Sequence, residues 1–301
     1  MDIRILKNFL QIARIGNMTR ASQMLYTTQS ALSKQMKDLE DEFSCRLFIR
    51  KSTGLALTEE GHLLRKRAED IVSLYEKTRQ EFESLEEISS GEIHVGAPET
   101  CHMDLFAREL LEFRRDYPNL QCHIISGMTE QVAQLLDRGL LDIAIISGIP
   151  DLNKYNHLVY PAEDQWGAVV RTDHPLARLK RIEPDDLLSY NLIMSTQGFS
   201  EEIRRWCGQK ADKLMVTDTV NLAYNGSVFV REKVAVMLSY KGLVNTSKKS
   251  GLTFIPLYPT LTTPLYLIWR KYQIFTPIVD LFLKQLTRSF SAQFLKRTKH
   301  D

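Results

Sequence analysis

Gln29, Ser30, Ser33, Lys34 and Lys37 fall on one side of a helical wheel. The chemistry available to them is the reading of base edges. Glutamine pairs bidentately with adenine, lysine reaches guanine O6 or N7, and small hydroxyls allow close approach. Thr19, Arg20 and Thr28 precede this set, and Arg50, Lys51, Ser52 and Thr53 follow it. These are residue types that hold a phosphate backbone without reading sequence. A second set consists of short polar chains at the ends of apolar runs. It comprises Pro98-Glu99-Thr100, Gly127-Met128-Thr129, Ser147-Gly148, Ser195-Thr196-Gln197-Gly198 and Thr219 to Asn221. Their chemistry is oriented hydrogen bonding to a small ligand. Catalytic constellations are missing. The seven histidines (62, 94, 102, 123, 157, 174, 300) are scattered, and there is no G-x-S-x-G, G-x-x-x-x-G-K or H-E-x-x-H motif. The sequence therefore predicts binding without turnover: no enzyme, no cofactor and no metal.

The 301 residues suffice for two or more domains, and 44% hydrophobic with 25% charged residues is the composition of a folded globular chain. No apolar run approaches the length of a membrane span, and Asp2 and Arg4 do not begin a signal peptide. Four cysteines at 45, 101, 122 and 207 make no C-x-x-C pair, so no disulfide framework or zinc site is expected and a cytoplasmic location is. The formal charge of +2 is uninformative until it is divided. Residues 1–58 hold nine basic and five acidic residues, whereas 59–90 hold five and nine. A locally positive head attracts phosphate whatever the total charge.

The elements that must position these residues can be read in order. Leu6, Phe9, Leu10 and Ala13 share one face of a helix stopped at Gly16-Asn17. Thr19 is the expected N-cap of a short helix to Leu25, with Ala21, Met24 and Leu25 turned inward. Thr28 caps a third helix to about Phe43, whose stripe is Leu32, Met36, Leu39 and Phe43. A short helix, a tight turn and a second helix make a helix-turn-helix, with the polar set on the open face. Leu47 to Ile49 and Leu55 to Leu57 read as two strands around a basic turn, 50–54, which is a wing.

Thr58 can cap a long helix with Glu59 and Glu60 in its first turn. Leu64, Ala68, Ile71, Tyr75, Thr78, Phe82 and Leu85 advance alternately by 4 and 3, a heptad seam that predicts pairing with a second copy. Ser89-Ser90-Gly91 reads as a hinge. Beyond it, apolar strands alternate with amphipathic helices, which predicts a mainly parallel sheet covered on both faces. The order permits a first subdomain of 91–160 and 265–301 and a second of 161–264, with a cleft at the crossing. Ligands in such sheets gather at the carboxyl ends of strands.

These residues carry a resemblance. Asn17-Met18-Thr19-Arg20-Ala21-Ser22, Thr28-Gln29-Ser30-Ala31-Leu32-Ser33-Lys34-Gln35, Leu39-Glu40, Arg46 to Arg50 and Leu57 to Gly61 resemble the LysR-type transcriptional regulators. Phe113, Tyr117-Pro118 and Asp173-His174-Pro175-Leu176 fit the same family style. The resemblance implies an α/β protein with an N-terminal winged helix-turn-helix, a coiled-coil linker helix and an effector domain of periplasmic-binding-protein type. It also implies a homodimer assembled further into a homotetramer, double-stranded operator DNA and a small polar effector as partners, RNA polymerase as a candidate partner, and no membrane. Two departures stand out. Ser30 replaces the family's common proline, which adds a hydroxyl at the DNA face. Where the family's first sensor strand leads into a small polar residue, then Pro and Thr, Pro98-Glu99-Thr100 keeps Thr100 but places the charge of Glu99 at the pocket mouth, where like charges 4 Å apart repel by about 4 kcal/mol at an effective dielectric of about 20.

The effector is accordingly expected against Pro98, Glu99, Thr100 and Thr129 or Ser147 on one wall, and against Ser195, Gln197 and Asn221 on the other. A redox regulator is the main alternative, through Cys101, whose place at a helix start would lower its pKa. An enzyme of the same architecture is the remaining one. For the DNA face, Gln29→Ala should change discrimination between operators by roughly 1–3 kcal/mol. Lys51→Ala should weaken all duplexes alike and flatten the salt dependence. Titrations on matched and mismatched duplexes check both, and a uniform loss from Gln29→Ala would contradict its role.

Overall fold

The computed structural model describes residues 2–51, 54–83, 90–195 and 201–297. The chain forms two compact units, Met1–Glu83 and Ser84–Asp301. In the first, helices α1 (Ile3–Ile15), α2 (Met18–Met24) and α3 (Gln29–Phe43) precede strands β1 (Phe48–Lys51) and β2 (Gly54–Leu57) and the long helix α4 (Glu59–Glu83). The caps explain the boundaries. Asp2 accepts from Arg4 N, Gly16 ends α1 at φ +66°, and Thr28 Oγ1 accepts from Ala31 N at 3.2 Å. The N-cap of α2 is Asn17 rather than Thr19, because the asparagine carboxamide accepts from Arg20 N at 3.0 Å.

Leu6, Phe9, Ile12, Ala21, Leu32, Met36, Leu39 and Leu47 close the core of this unit. Two expected core residues are outside it: Met24 and Phe43 are 55% and 44% exposed, each at the last residue of its helix. The basic turn is also shorter than expected, since Arg50 and Lys51 belong to β1 and pair with Leu55 and Gly54. Ser52 and Thr53 lie outside the described residues.

Helix α4 starts on the wing. Thr58 Oγ1 donates to Arg46 O at 2.7 Å and accepts from Gly61 N at 2.9 Å. Gly61 is required there, since a Cβ would lie 2.2 Å from Leu47 O. Leu64 and Ala68 are buried against the head. That corrects the expected seam, because these two positions are occupied by their own chain. The same helix face continues through Ile71, Leu74, Tyr75 and Phe82, which are 40–69% exposed, with Thr78 exposed among them. Leu85 lies outside the described residues.

The second unit is one mixed sheet with helices on both faces. Its elements are β3 (Ser90–Ala97), α5 (Met103–Asp116), β4 (Asn119–Ser126), α6 (Thr129–Asp137), β5 (Ile143–Ser147), β6 (Tyr155–Arg171), α7 (Pro184–Leu187), β7 (Asn191–Met194), α8 (Glu201–Cys207), β8 (Met215–Thr219), α9 (Ala223–Arg231), β9 (Val236–Tyr240), β10 (Leu252–Pro256), β11 (Thr262–Arg270) and α10 (Pro277–Arg297). The strand order is β4-β3-β5-β11-β6-β9-β7-β8, with β10 on β6. Pairs within β4-β3-β5 and β8-β7-β9 are parallel, whereas every pairing of β6 and β11 is antiparallel. The sheet is thus less parallel than the sequence suggested.

Each central strand divides its side chains between two cores. Ile143 and Ile145 of β5 join Phe106, Phe113, Phe282 and Phe290 under α5 and α10, while Ala144 and Ile146 face Val132 and Leu136 of α6. Around the other half, Ala168, Leu192, Met194 and Leu238 pack with Ile203, and Val169, Ile193 and Met237 with Ala223 and Val230. Alternation between two dry faces is why these strands read as unbroken apolar runs. Phe282 is fully buried, with Phe106 and Phe113 rings at 5.5 and 5.0 Å. Phe282→Ala should therefore cost about 3–5 kcal/mol, measured by urea denaturation, with a near-neutral effect arguing against this core.

Candidate functional site

The face of α3 opposite Leu32, Met36 and Leu39 is open. Thr28, Gln29, Ser30, Ser33, Lys34 and Lys37 are exposed, as are Thr19, Arg20, Arg50 and Lys51. The hydroxyls of Thr28 and Ser30 lie 3.2 Å apart at the start of the helix. Glu40 fixes this helix to the wing: its Oε1 accepts from Leu47 N and Phe48 N at 2.8 and 3.2 Å, and its Oε2 pairs with Arg46 at 3.1 Å. Tyr26, expected only as part of the tight turn with Thr27, stands 98% exposed at φ +50° before α3. Its signal was the tight turn, which pushes a side chain outward. The arrangement presents hydrogen-bonding side chains on a rigid convex helix with a cationic strand beside it.

The second unit holds a pocket at the carboxyl ends of β3, β4, β5, β7, β8 and β9. Pro98, Glu99, Gly127, Met128 and Ser147 line it from one half of the sheet, and Ser195, Val220 to Ala223 and Met237 to Tyr240 from the other. Trp166 and Leu243 also line it. Of the expected residues, Pro98, Glu99, Ser147, Ser195 and Asn221 are brought together. Thr100 and Thr129 stand behind the wall instead. Thr129 Oγ1 accepts from Ser147 N at 3.1 Å and so places that strand end. Thr100 is buried, donating to Asp164 Oδ1 at 2.8 Å and accepting from His102 N at 3.1 Å. Gln197 lies outside the described residues. Sequence reasoning missed Trp166 and Tyr240, whose rings meet at 4.4 Å and 56°. Their only signal was a place in apolar strands.

Glu99 does not point away. Its Oε2 accepts from Ala223 N at 2.6 Å, at the first residue of α9. Behind the aromatic wall, Trp166 Nε1 donates to Thr263 Oγ1 at 3.0 Å, which donates to Glu202 Oε2 at 2.6 Å. Burial raises the pKa of Tyr240, as do the nearby Glu202 and Asp164, against the adjacent Thr263 and Ser147 hydroxyls.

The thiols argue against redox chemistry. Burial pushes Cys122 and Cys207 up to about 11. Cys101 is raised as well, by burial and then by Asp164, so its position near a helix start does not activate it as expected. Among the described residues, two clusters contain metal-ligand types within 4.8 Å: Glu92, His94 and His123, and Cys101, His102 and Asp164. Both are organised by hydrogen bonds and ion pairs. Glu92 Oε2 lies 3.2 and 3.4 Å from the Nε2 atoms of His94 and His123, whose rings stack at 4.9 Å. His102 Nε2 lies 3.0 Å from Glu163 O, a carbonyl that can only accept.

An open reading helix with a wing, and a polar pocket at the strand ends of an α/β unit, define a ligand-sensing DNA reader. Residues 3–62 match the bacterial regulatory helix-turn-helix protein, lysR family, and residues 87–291 match the LysR substrate binding domain. The chain belongs to the LysR family of transcriptional regulators. It is similar to the HTH-type transcriptional regulator YtlI of Bacillus subtilis, 26% identical over 309 residues and covering 99% of this chain and 96% of that protein. It is 33% identical over 190 residues to a probable RuBisCO transcriptional regulator of Emiliania huxleyi, which covers 62% of this chain and spans 60% of that relative's length. The fold is also that of CbnR, a LysR family transcriptional regulator, with 20% identity, 96% of this chain and 99% of that chain covered, and a TM-score of 0.76. CbnR complexed with its target DNA gives 0.77 at the same identity, over 96% of this chain and 100% of that one. No helix among the described residues is long and apolar enough to cross a membrane.

Asp164 supplies a test of the wall. Among the described residues its Oδ2 has no hydrogen-bond partner, and burial pushes its pKa up to about 6 against the Thr100 hydrogen bond and nearby His102. A raised folded pKa means that its stabilising contribution is full below about pH 4 and lost as pH rises through about 6. Asp164→Asn should gain on the native chain by about 2–3 kcal/mol between about pH 4 and pH 7. Urea titrations at the two pH values measure it, and a pH-independent difference would contradict the buried carboxylate.

Proposed function

We propose that this chain reads a two-fold-symmetric operator as a dimer and changes its hold on promoter DNA when a small polar molecule enters the pocket. The observation that carries this is the exposed set Gln29, Ser30, Ser33, Lys34 and Lys37 on a helix whose opposite face is buried through Leu32, Met36 and Leu39. They lie outside the packed core, Ser30 in local contact with Thr28, and their types match base edges in a major groove. Thr19, Arg20, Thr28, Arg50, Lys51, Ser52 and Thr53 are assigned to the phosphate backbone, with the two strand residues Arg50 and Lys51 alongside it.

Pairing is assigned to α4 from Ile71 onward, through Ile71, Tyr75, Thr78, Phe82 and Leu85, with Leu74 added by its exposure. Leu64 and Ala68 anchor the helix to the head instead. Two-fold symmetry then sets two reading helices about one turn of DNA, or a multiple, apart. The effector domain is divided as 91–160 with 265–301 and 161–264, and closure of these parts around the ligand is the signal. Pro98, Glu99, Ser147, Ser195, Gln197 and Asn221 contact the effector, with Thr100 and Thr129 supporting them. A cytoplasmic tetramer acting with RNA polymerase is part of the same proposal, supported by the family resemblance.

Analytical ultracentrifugation and gel-shift assays with a palindromic duplex test the reading. Ile71→Asp should give a smaller assembly and lose the palindrome while keeping the head folded. An unchanged mass with intact operator binding would remove α4 as the pairing element.

A further inference from the structure

The pocket's charge is one-sided. Among the described residues that line it there is no lysine, arginine or histidine, and Glu99 is the one charged side chain. Behind the aromatic corner stand two more carboxylates, Glu202 on Thr263 and Asp164 on Thr100. Lys241, next to the lining Tyr240, is exposed and does not line the pocket.

The first amide of α9 would ordinarily attract an anionic ligand group, since free N–H donors and the helix dipole both favour negative charge there. In this chain that position is already filled. Glu99 crosses from the end of β3 and accepts from Ala223 N at 2.6 Å. An entering carboxylate or phosphate would have to displace Glu99 and then face its charge with no cation among the described lining residues. An entering cation meets the reverse conditions. A carboxylate bound by one N–H retains lone pairs for a second donor. The tilted rings of Trp166 and Tyr240, 4.4 Å apart, line the same space. Aromatic faces attract cations. The Met128 and Met237 thioethers and the Ser147, Ser195 and Asn221 side chains provide polarizable and hydrogen-bonding surface for the remainder of the molecule.

We propose that the pocket takes a small organic cation, an ammonium-bearing metabolite held between Glu99 and the Trp166–Tyr240 corner. This rests on the reading of the pocket as the effector site. It assigns Glu99 two roles: the built-in anion that caps α9, and the counter-ion of the ligand.

The experiment uses the full chain, with thermal unfolding and calorimetry at constant ionic strength. One probe series is propylammonium, tetramethylammonium and 1,4-diammoniobutane chloride; the other is sodium acetate, succinate and phosphate. The ammonium series should stabilise the native protein saturably, and the anions should not. Glu99→Gln keeps an acceptor for Ala223 N but removes the charge, and should weaken the tightest ammonium probe by about tenfold or more, the scale of one partly shielded charge contact. Met128→Lys, at the half-exposed rim, adds a cation without disturbing the core and should abolish the ammonium response. Saturable binding of anions, strengthened in Glu99→Gln, leaves the pocket as the effector site and overturns the charge assignment. Ammonium binding that survives both variants overturns it as well. No saturable response to either series overturns both the assignment and the pocket reading.

Discussion

Strand β6 is the constraint on which the sensor unit depends. Its 17 residues run through both halves of the sheet, pairing with β11 over Tyr155 to Gln165 and with β9 and β10 over Trp166 to Arg171. Tyr160 and Ala162 are buried with one core, and Trp166, Ala168 and Val170 with another. The pocket opens where the strand passes from one to the other, and Asp164 and Trp166 stand at that passage. Removing a main-chain bond there would loosen two cores and a binding wall together.

Most of the head was legible because its signals are local. Gly16, Thr28 and Thr58 each end or begin an element by a hydrogen bond within a few residues, and such bonds depend little on the rest of the chain. Helix α2 begins two residues earlier than expected because Asn17, not Thr19, caps it. The heptad in α4 was correctly periodic, but periodicity shows that a face is apolar and not what covers it. Leu64 and Ala68 are covered by the head, while Ile71, Leu74, Tyr75 and Phe82 remain open.

The sensor was legible as a fold class and less so as a pairing. Apolar strands buried on both faces look alike whether their neighbours run parallel or antiparallel, so the reversal at β6 and β11 left no mark in composition. Strand β8 leaves no apolar run in the sequence, because Met215–Thr219 alternates between exposed and half-buried residues at the sheet edge, with Thr217 and Asp218 within it. Pocket residues on strand ends could be listed from the sequence. Which of them face inward depended on contacts such as Thr100 to Asp164, 64 residues apart, and Glu99 to Ala223, 124 apart. Spacing carries no information about either.

The attachment of α4 to the wing has a mechanical meaning. Thr58 ties the first turn of the helix to Arg46, Gly61 lies against Leu47, and Glu40 joins that same stretch to the reading helix. There is no slack between them. A rod of 25 residues is about 37 Å long, so a tilt of roughly 5° at one end displaces the other by about 3 Å. The helix thus acts as a lever arm with its fulcrum in the head, and small angular changes along it convert into shifts on the scale of one base-pair step.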